Sequence, residues 1–246
     1  MTPHKVTFSL FLFLIVGSLS AKTSFAKTPT GGRLAVVVDE RLAALRSTPE
    51  LTGRLVRRLG RGRLVAIRGS RTAPDGVVFL LVNVTSRTHG WIQREAVVSA
   101  ARAGDDRRLL DLINASSGFD RVVRARIFLD QFPRSPLRPQ VLLLLGNAAE
   151  EQAAKLSREA TQRLKNISNA AEGGGRVAFR TSTPEFTYFL NYSGLDRYNR
   201  QRILFVFDRA SKRLHYDGAA WRELARRYPN SPEAVEARKR LAELKK

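Results

Sequence analysis

The chain has 246 residues, 43% of them apolar, and carries 43 Lys and Arg against 22 Asp and Glu, for a formal net charge of +21. That apolar share supports one or two cored domains and excludes a disordered chain; the absence of cysteine excludes a disulfide framework, a Cys-ligated zinc site, a thiol nucleophile and a lipid-modified Cys anchor. The positive excess draws anionic partners such as nucleic acid, anionic lipid or carboxylate-bearing wall polymers, although no Lys occurs between Lys27 and Lys155 and a GC-rich genome accounts equally well for so much Arg.

The N-terminus has the three-part pattern of a secretory signal. His4 and Lys5 precede an apolar run from Val6 to Val16, and small and polar residues end in Ser24-Phe25-Ala26. A run of this length is too short to span the ~30 Å of a bilayer core. The expectation is a cleaved leader at 1–26 and an exported product, periplasmic or secreted, with no transmembrane segment. An uncleaved anchor is the alternative. Cleavage removes Lys5 and Lys22 and no acid, which lowers the charge from +21 to +19.

A Thr/Pro/Gly linker at 27–32 leads into short β-type runs at 33–100. Leu34-Ala35-Val36-Val37-Val38 is the first. Arg54 to Leu59 alternates apolar and basic, as a half-buried strand does, and Gly60-Arg61-Gly62 breaks it. Arg63 to Arg68 follows, then a turn with Pro74-Asp75-Gly76, then Val77 to Val84 and Gly90 to Gln93. Five short strands in so little chain predict a small closed barrel, because closure removes exposed edges.

The stretch resembles the bacterial SH3 family, SH3b. Ala44-Leu45-Arg46-Ser47-Thr48-Pro49, Gly53-Arg54-Leu55, Leu59 to Ile67, and His89-Gly90-Trp91-Ile92 with Val97 follow its motif order, and Phe79 stands where the family usually has an aromatic. The resemblance covers about 65 residues and implies binding to cell-wall peptides or other proteins. Trp91 and Phe79 would then offer an aromatic surface to a peptide, and Arg46 would meet a ligand carboxylate with its guanidinium fork. The competing roles are a core or strand-closing Trp91 and a turn-stabilising Arg46.

From Gly104 the apolar period becomes helical, with Asp105 or Asp106 as a candidate N-cap. Phe119 to Phe132 reads as a helix that Pro133 stops. Ser135-Pro136 starts a long second helix, from Leu137 to about Leu164. The phrase returns as Tyr228-Pro229-Asn230-Ser231-Pro232, ahead of a closing helix with Ala234, Ala237, Leu241 and Leu244 on one stripe. This internal repeat resembles tetratricopeptide-like repeats of bacterial envelope proteins, of the outer-membrane assembly and cell-division coordinator types. The resemblance implies stacked helical hairpins that hold a protein partner. Val122 and Val141 replace small residues of the pattern, and the interval between the two copies argues against a continuous groove.

That interval is an irregular insertion at about 167–197. It contains Gly173-Gly174-Gly175 and an aromatic cluster with Phe186, Tyr188, Phe189, Tyr192 and Tyr198. Phe186, Tyr188 and Tyr192 are candidate ligand anchors; the alternative is that the aromatics cover the flank of the helices. Arg202 to Phe207 reads as part of a helix ending near Lys212.

Nothing converges on catalysis. Only His89 and His215 survive in the mature chain, with no metal-ligand spacing, and no Ser sits in a nucleophile elbow. The expected fold is therefore multidomain, all-β followed by all-α: an SH3-like barrel at 33–100 and a tetratricopeptide-like domain at 104–246. The expected function is that of an exported, non-catalytic envelope scaffold without metal or cofactor, its partners a cell-wall peptide or peptidoglycan and an envelope protein, with no specific nucleic acid. The alternatives are a charge-driven binder of nucleic acid or anionic lipid, and an accessory subunit of a cell-wall hydrolase.

Overall fold

A computed structural model describes residues 32–172 and 194–244. The leader at 1–26, the triple glycine, Phe186, Tyr188 and Tyr192 lie outside the described residues. A β-rich first part is followed by a helix-rich second part. The first holds β1 (Arg33–Val37), β2 (Ala44–Arg46), β3 (Leu55–Arg58), β4 (Leu64–Thr72), β5 (Val78–Asn83), β6 (His89–Gln93), a 3-10 turn (Arg94–Ala96) and β7 (Val97–Val98). The second holds α1 (Asp105–Asn114), α2 (Gly118–Gln131), α3 (Arg138–Glu172), α4 (Leu195–Asn199), the hairpin β8 (Phe205–Asp208) and β9 (Arg213–Tyr216), α5 (Ala219–Arg227) and α6 (Pro232–Glu243).

The seven strands form one antiparallel sheet in the order β3-β2-β6-β5-β4-β1-β7. Alternation decides its faces. Leu45, Leu80, Val82 and Ile92 point into an apolar core shared with Val65 and Val97. Among the described residues the expected closed barrel is not present, because β3 and β7 end the sheet without pairing to each other. Its edges are managed by other means. β3 is four residues long and carries Arg57 and Arg58, and β7 is two residues long and packs against α1. Charge and shortness are standard protections for a strand edge.

β1 joins the two parts. Ala35 and Val37 face the sheet core, whereas Val36 and Val38 enter the helical core with Leu109, Leu110 and Ile113. A strand buried on both faces reads as an unbroken apolar run, which is why residues 34–38 do not alternate. Polar contacts reinforce the junction. The buried Arg124 of α2 donates through Nε to Val38 O (3.2 Å) and through Nη1 to Ser116 Oγ, with Asp39 Oδ2 3.9 Å from Nη2. Arg61 Nη1 meets Asp120 Oδ1 at 2.6 Å. Asp105 does not cap α1: Gly104, at φ 80°, takes the cap position. The buried Asp105 carboxylate instead accepts the Ser99 amide at 2.8 Å and pairs with Arg102 at 2.8 Å.

The repeated phrase marks two equivalent chain reversals. Phe132 and Tyr228 end α2 and α5 with similar backbone angles (φ −118°, ψ 62° and φ −131°, ψ 53°). Ser231 caps α6 by accepting the Ala234 amide (3.2 Å), with Pro232 in the first turn. At the first copy Ser135 Oγ accepts the Leu137 amide (3.2 Å) and donates to Asp106 Oδ2 (2.7 Å).

A regular stack of equal helical hairpins is absent among the described residues. α3 runs for 35 residues and packs against α2, α5, α6 and β9. The second part is also not all-α. The segment expected as a helix near 202–212 contains β8, which pairs with β9. In this hairpin the more exposed Leu204 and Val206 alternate with the inward Phe205 and Phe207, a period of two that a short apolar run conceals. No described helix is long and apolar enough to cross a membrane.

Candidate functional site

Register places Trp91 on the sheet's outer face, on β6 between β2 and β5. It lies opposite Leu81 of β5 and opposite Arg46 of β2. Gly90 makes this crossing possible, since a Cβ there would lie 2.6 Å from Arg46 O. The β2–β3 pairing slips between Leu45 and Arg46, a bulge that disturbs the ladder beside Trp91. A groove of about 500 Å³ follows, with Trp91, Leu81 and Val56 as its apolar surface and Arg54, Arg87 and His89 around it. No carboxylate lines it. The guanidinium groups of Arg54 and Arg87 form no ion pair among the described residues.

Of the described candidate residues, Trp91 alone lines this groove. It is half-buried, with ring surface left for a ligand. Arg46 flanks Trp91 in the sheet, but its Nη1 donates to Gly53 O at 2.8 Å and tethers the 47–54 turn. It thus takes the turn-stabilising role. Phe79 is a correction. It is fully buried and offers no surface to a ligand, although it pairs across the sheet with Arg71 and Gln93. Phe186, Tyr188 and Tyr192 are outside the described residues. Tyr198 of the same cluster is core: its ring meets Phe119 (5.0 Å) and Phe205 (5.1 Å) edge-on, and its hydroxyl donates to Gln152 Oε1 (3.1 Å).

The sequence reading missed Arg54, Val56, Arg87 and His89. Arg54 and Val56 are two apart, the spacing at which strand residues share a face; Arg87 and His89 bracket the turn into β6. That pattern existed in the sequence, but only register shows that the two segments meet. A second concavity, of about 450 Å³, lies beside the middle of β4 and has Arg33, Arg68, Arg94 and Arg102 in its wall.

The arrangement suits noncovalent capture. A half-buried indole beside cationic side chains attracts flat or apolar groups together with carboxylates. The described residues contain no group of three or more His, Asp or Glu able to hold a metal ion. His215 contacts Glu150 (Nδ1 to Oε1, 3.0 Å), yet the other Glu150 oxygen accepts the Tyr216 amide at 2.7 Å, so the pair fastens β9 to α3. Burial pushes the Tyr216 phenol well above its ordinary range, and its oxygen accepts the Ala220 amide (2.7 Å) at the start of α5. No family model, curated protein or solved structure matches the chain.

Proposed function

We propose that this protein is an exported, non-catalytic binding protein of the bacterial cell envelope, whose sheet takes a cell-wall peptide along the Trp91 groove and whose helices hold a protein partner. The observation that carries the reading is the groove itself: an aromatic floor, two guanidinium groups with no ion-pair partner among the described residues, and no carboxylate in its lining. Wall stem peptides are extended and rich in carboxylates, and this lining complements both properties.

The SH3-like and tetratricopeptide-like assignments belong to this proposal. Their support is the succession of short antiparallel strands ending in the Gly90-Trp91-Ile92 strand, and the two helix pairs turned by the same Pro-x-Ser-Pro phrase. The test is co-sedimentation of the purified chain with isolated cell walls at about 150 mM salt. Trp91→Ala is expected to reduce the bound fraction at least tenfold with its thermal midpoint unchanged within a few degrees. Sedimentation of the variant at the wild-type level would reject the groove, and failure of the wild type to sediment would reject the wall as ligand. Release of soluble fragments from the walls would reject the non-catalytic reading.

A further inference from the structure

We infer that the concavity beside β4 is a second binding site, independent of the Trp91 groove, for a phosphoryl group attached to a short apolar chain. Four separate segments bring arginines to it: Arg33 from β1, Arg68 from β4, Arg94 from the 3-10 turn and Arg102 from the link into α1. No Asp or Glu lines the space, and Ile67, Val78 and Leu80 supply an apolar wall. A cleft of one charge sign with low-dielectric walls concentrates the field on its contents.

Arg68 owes its place to an irregularity of the sheet. Ile67 pairs with Val82 and Gly69 with Leu81, which leaves Arg68 as the extra residue of a bulge. A bulge re-aims the side chain it carries, and bulges are kept where that has a use. Arg102 is held in place: its Nε is 2.8 Å from Asp105 Oδ1 and its Nη2 donates to Val97 O at 3.0 Å. Arg94 Nε meets Glu95 Oε1 at 3.3 Å on the surface. Arg33 and Arg68 have no acidic partner among the described residues. Two unpaired forks beside two anchored ones suit a dianionic tetrahedral head, which accepts several guanidinium N–H groups at once. The apolar wall accounts for the chain attached to that head.

Calorimetric titration of the full chain tests this with octyl phosphate below its micelle concentration, inorganic phosphate, octyl glucoside, and vesicles of equal phosphatidylglycerol and phosphatidylcholine. Octyl phosphate is expected to bind once per chain, at least tenfold more tightly than inorganic phosphate, while octyl glucoside does not bind. The double variant Arg33→Gln/Arg68→Gln is expected to weaken octyl phosphate at least tenfold. The charge-matched Arg57→Gln/Arg58→Gln is expected to stay within twofold of wild type. Equal losses in both doubles overturn the site in favour of diffuse charge, and equal affinity for inorganic and octyl phosphate overturns the role of the apolar wall. Vesicle binding without octyl phosphate binding also overturns it, whereas competition of octyl phosphate with vesicles supports a lipid headgroup as the natural source. Wall sedimentation by Arg33→Gln/Arg68→Gln at the wild-type level is expected, so the two sites fail separately.

Discussion

Gly146 of α3 lies so close to Trp221 of α5 that a Cβ at position 146 would sit 2.2 Å from the indole nitrogen. Trp221 is 1% exposed, and its Nε1 finds no acceptor among the described residues. Gly at 146 lets the two helices approach, and the close packing outweighs one unpaired donor. Alanine would add about 1 kcal/mol of helix propensity. Overpacking a fixed indole costs about 1–3 kcal/mol. Gly146→Ala is therefore expected to lower urea stability, and Trp221→Phe in that background to recover part of the loss. A Gly146→Ala protein as stable as wild type would refute the contact.

The hairpin is held by side chains of α3. Ser157 Oγ accepts the Leu214 amide at 2.8 Å and Glu150 Oε2 accepts the Tyr216 amide at 2.7 Å. These two acceptors are seven residues apart and so share one face of the helix, and they cover alternate N–H groups of β9. Ser157→Ala leaves the buried Leu214 amide unpaired, at a cost of about 1–3 kcal/mol. Hydrogen exchange at Leu214 is expected to accelerate while α1 and α2 keep their protection. Unchanged exchange at Leu214 contradicts this.

Arg124 ties the sheet to the helices through Val38 O and Ser116 Oγ. Its removal frees a buried carbonyl and a buried hydroxyl at once. Hydrogen bonds from a charged donor contribute about 1.5–3 kcal/mol each. Arg124→Met keeps volume without donors, and a loss of about 2–3 kcal/mol is expected. Faster exchange should appear around 36–39 and 116–124 together. A loss confined to α2 would show that the two parts do not depend on this contact.

Acid should act on the same junction. The Arg41 guanidinium, hydrogen-bonded to Asp39, holds its carboxyl below the ordinary carboxylate value, and Arg61 does the same for Asp120. A carboxyl whose folded pKa is depressed stabilises the fold above its unfolded value and loses that contribution as pH falls through the folded one. The thermal midpoint should be flat from pH 7 to about 5 and fall below about pH 4. Asp120→Asn should lower the midpoint at pH 7 and shrink the acid-side fall. An identical fall in the variant would exclude Asp120 as a contributor.

Much of this was legible in the residues. The strands after Gly53 and the two Pro-stopped helix pairs stand near where periodicity and Pro-x-Ser-Pro put them, since both signals are local. The hairpin at 205–216 was not legible. Five apolar residues, Ile203 to Phe207, bounded by polar ones suit a strand or a buried helical turn alike, and pairing with β9, whose amides α3 covers, decided for the strand. Phe79 and Trp91 looked equivalent as aromatics on neighbouring strands. Their burial depends on what covers each, which a one-dimensional pattern does not carry.

Composition and period alone settled a β-rich part before a helix-rich part, both strongly basic. Tertiary structure decided that β1 serves two cores, that the sheet ends in open edges, and that arginines far apart in the chain gather in two concavities. The reason is physical: alternation and helical period are set by neighbours in sequence, whereas pairing register and burial are set by whichever segments fold against them.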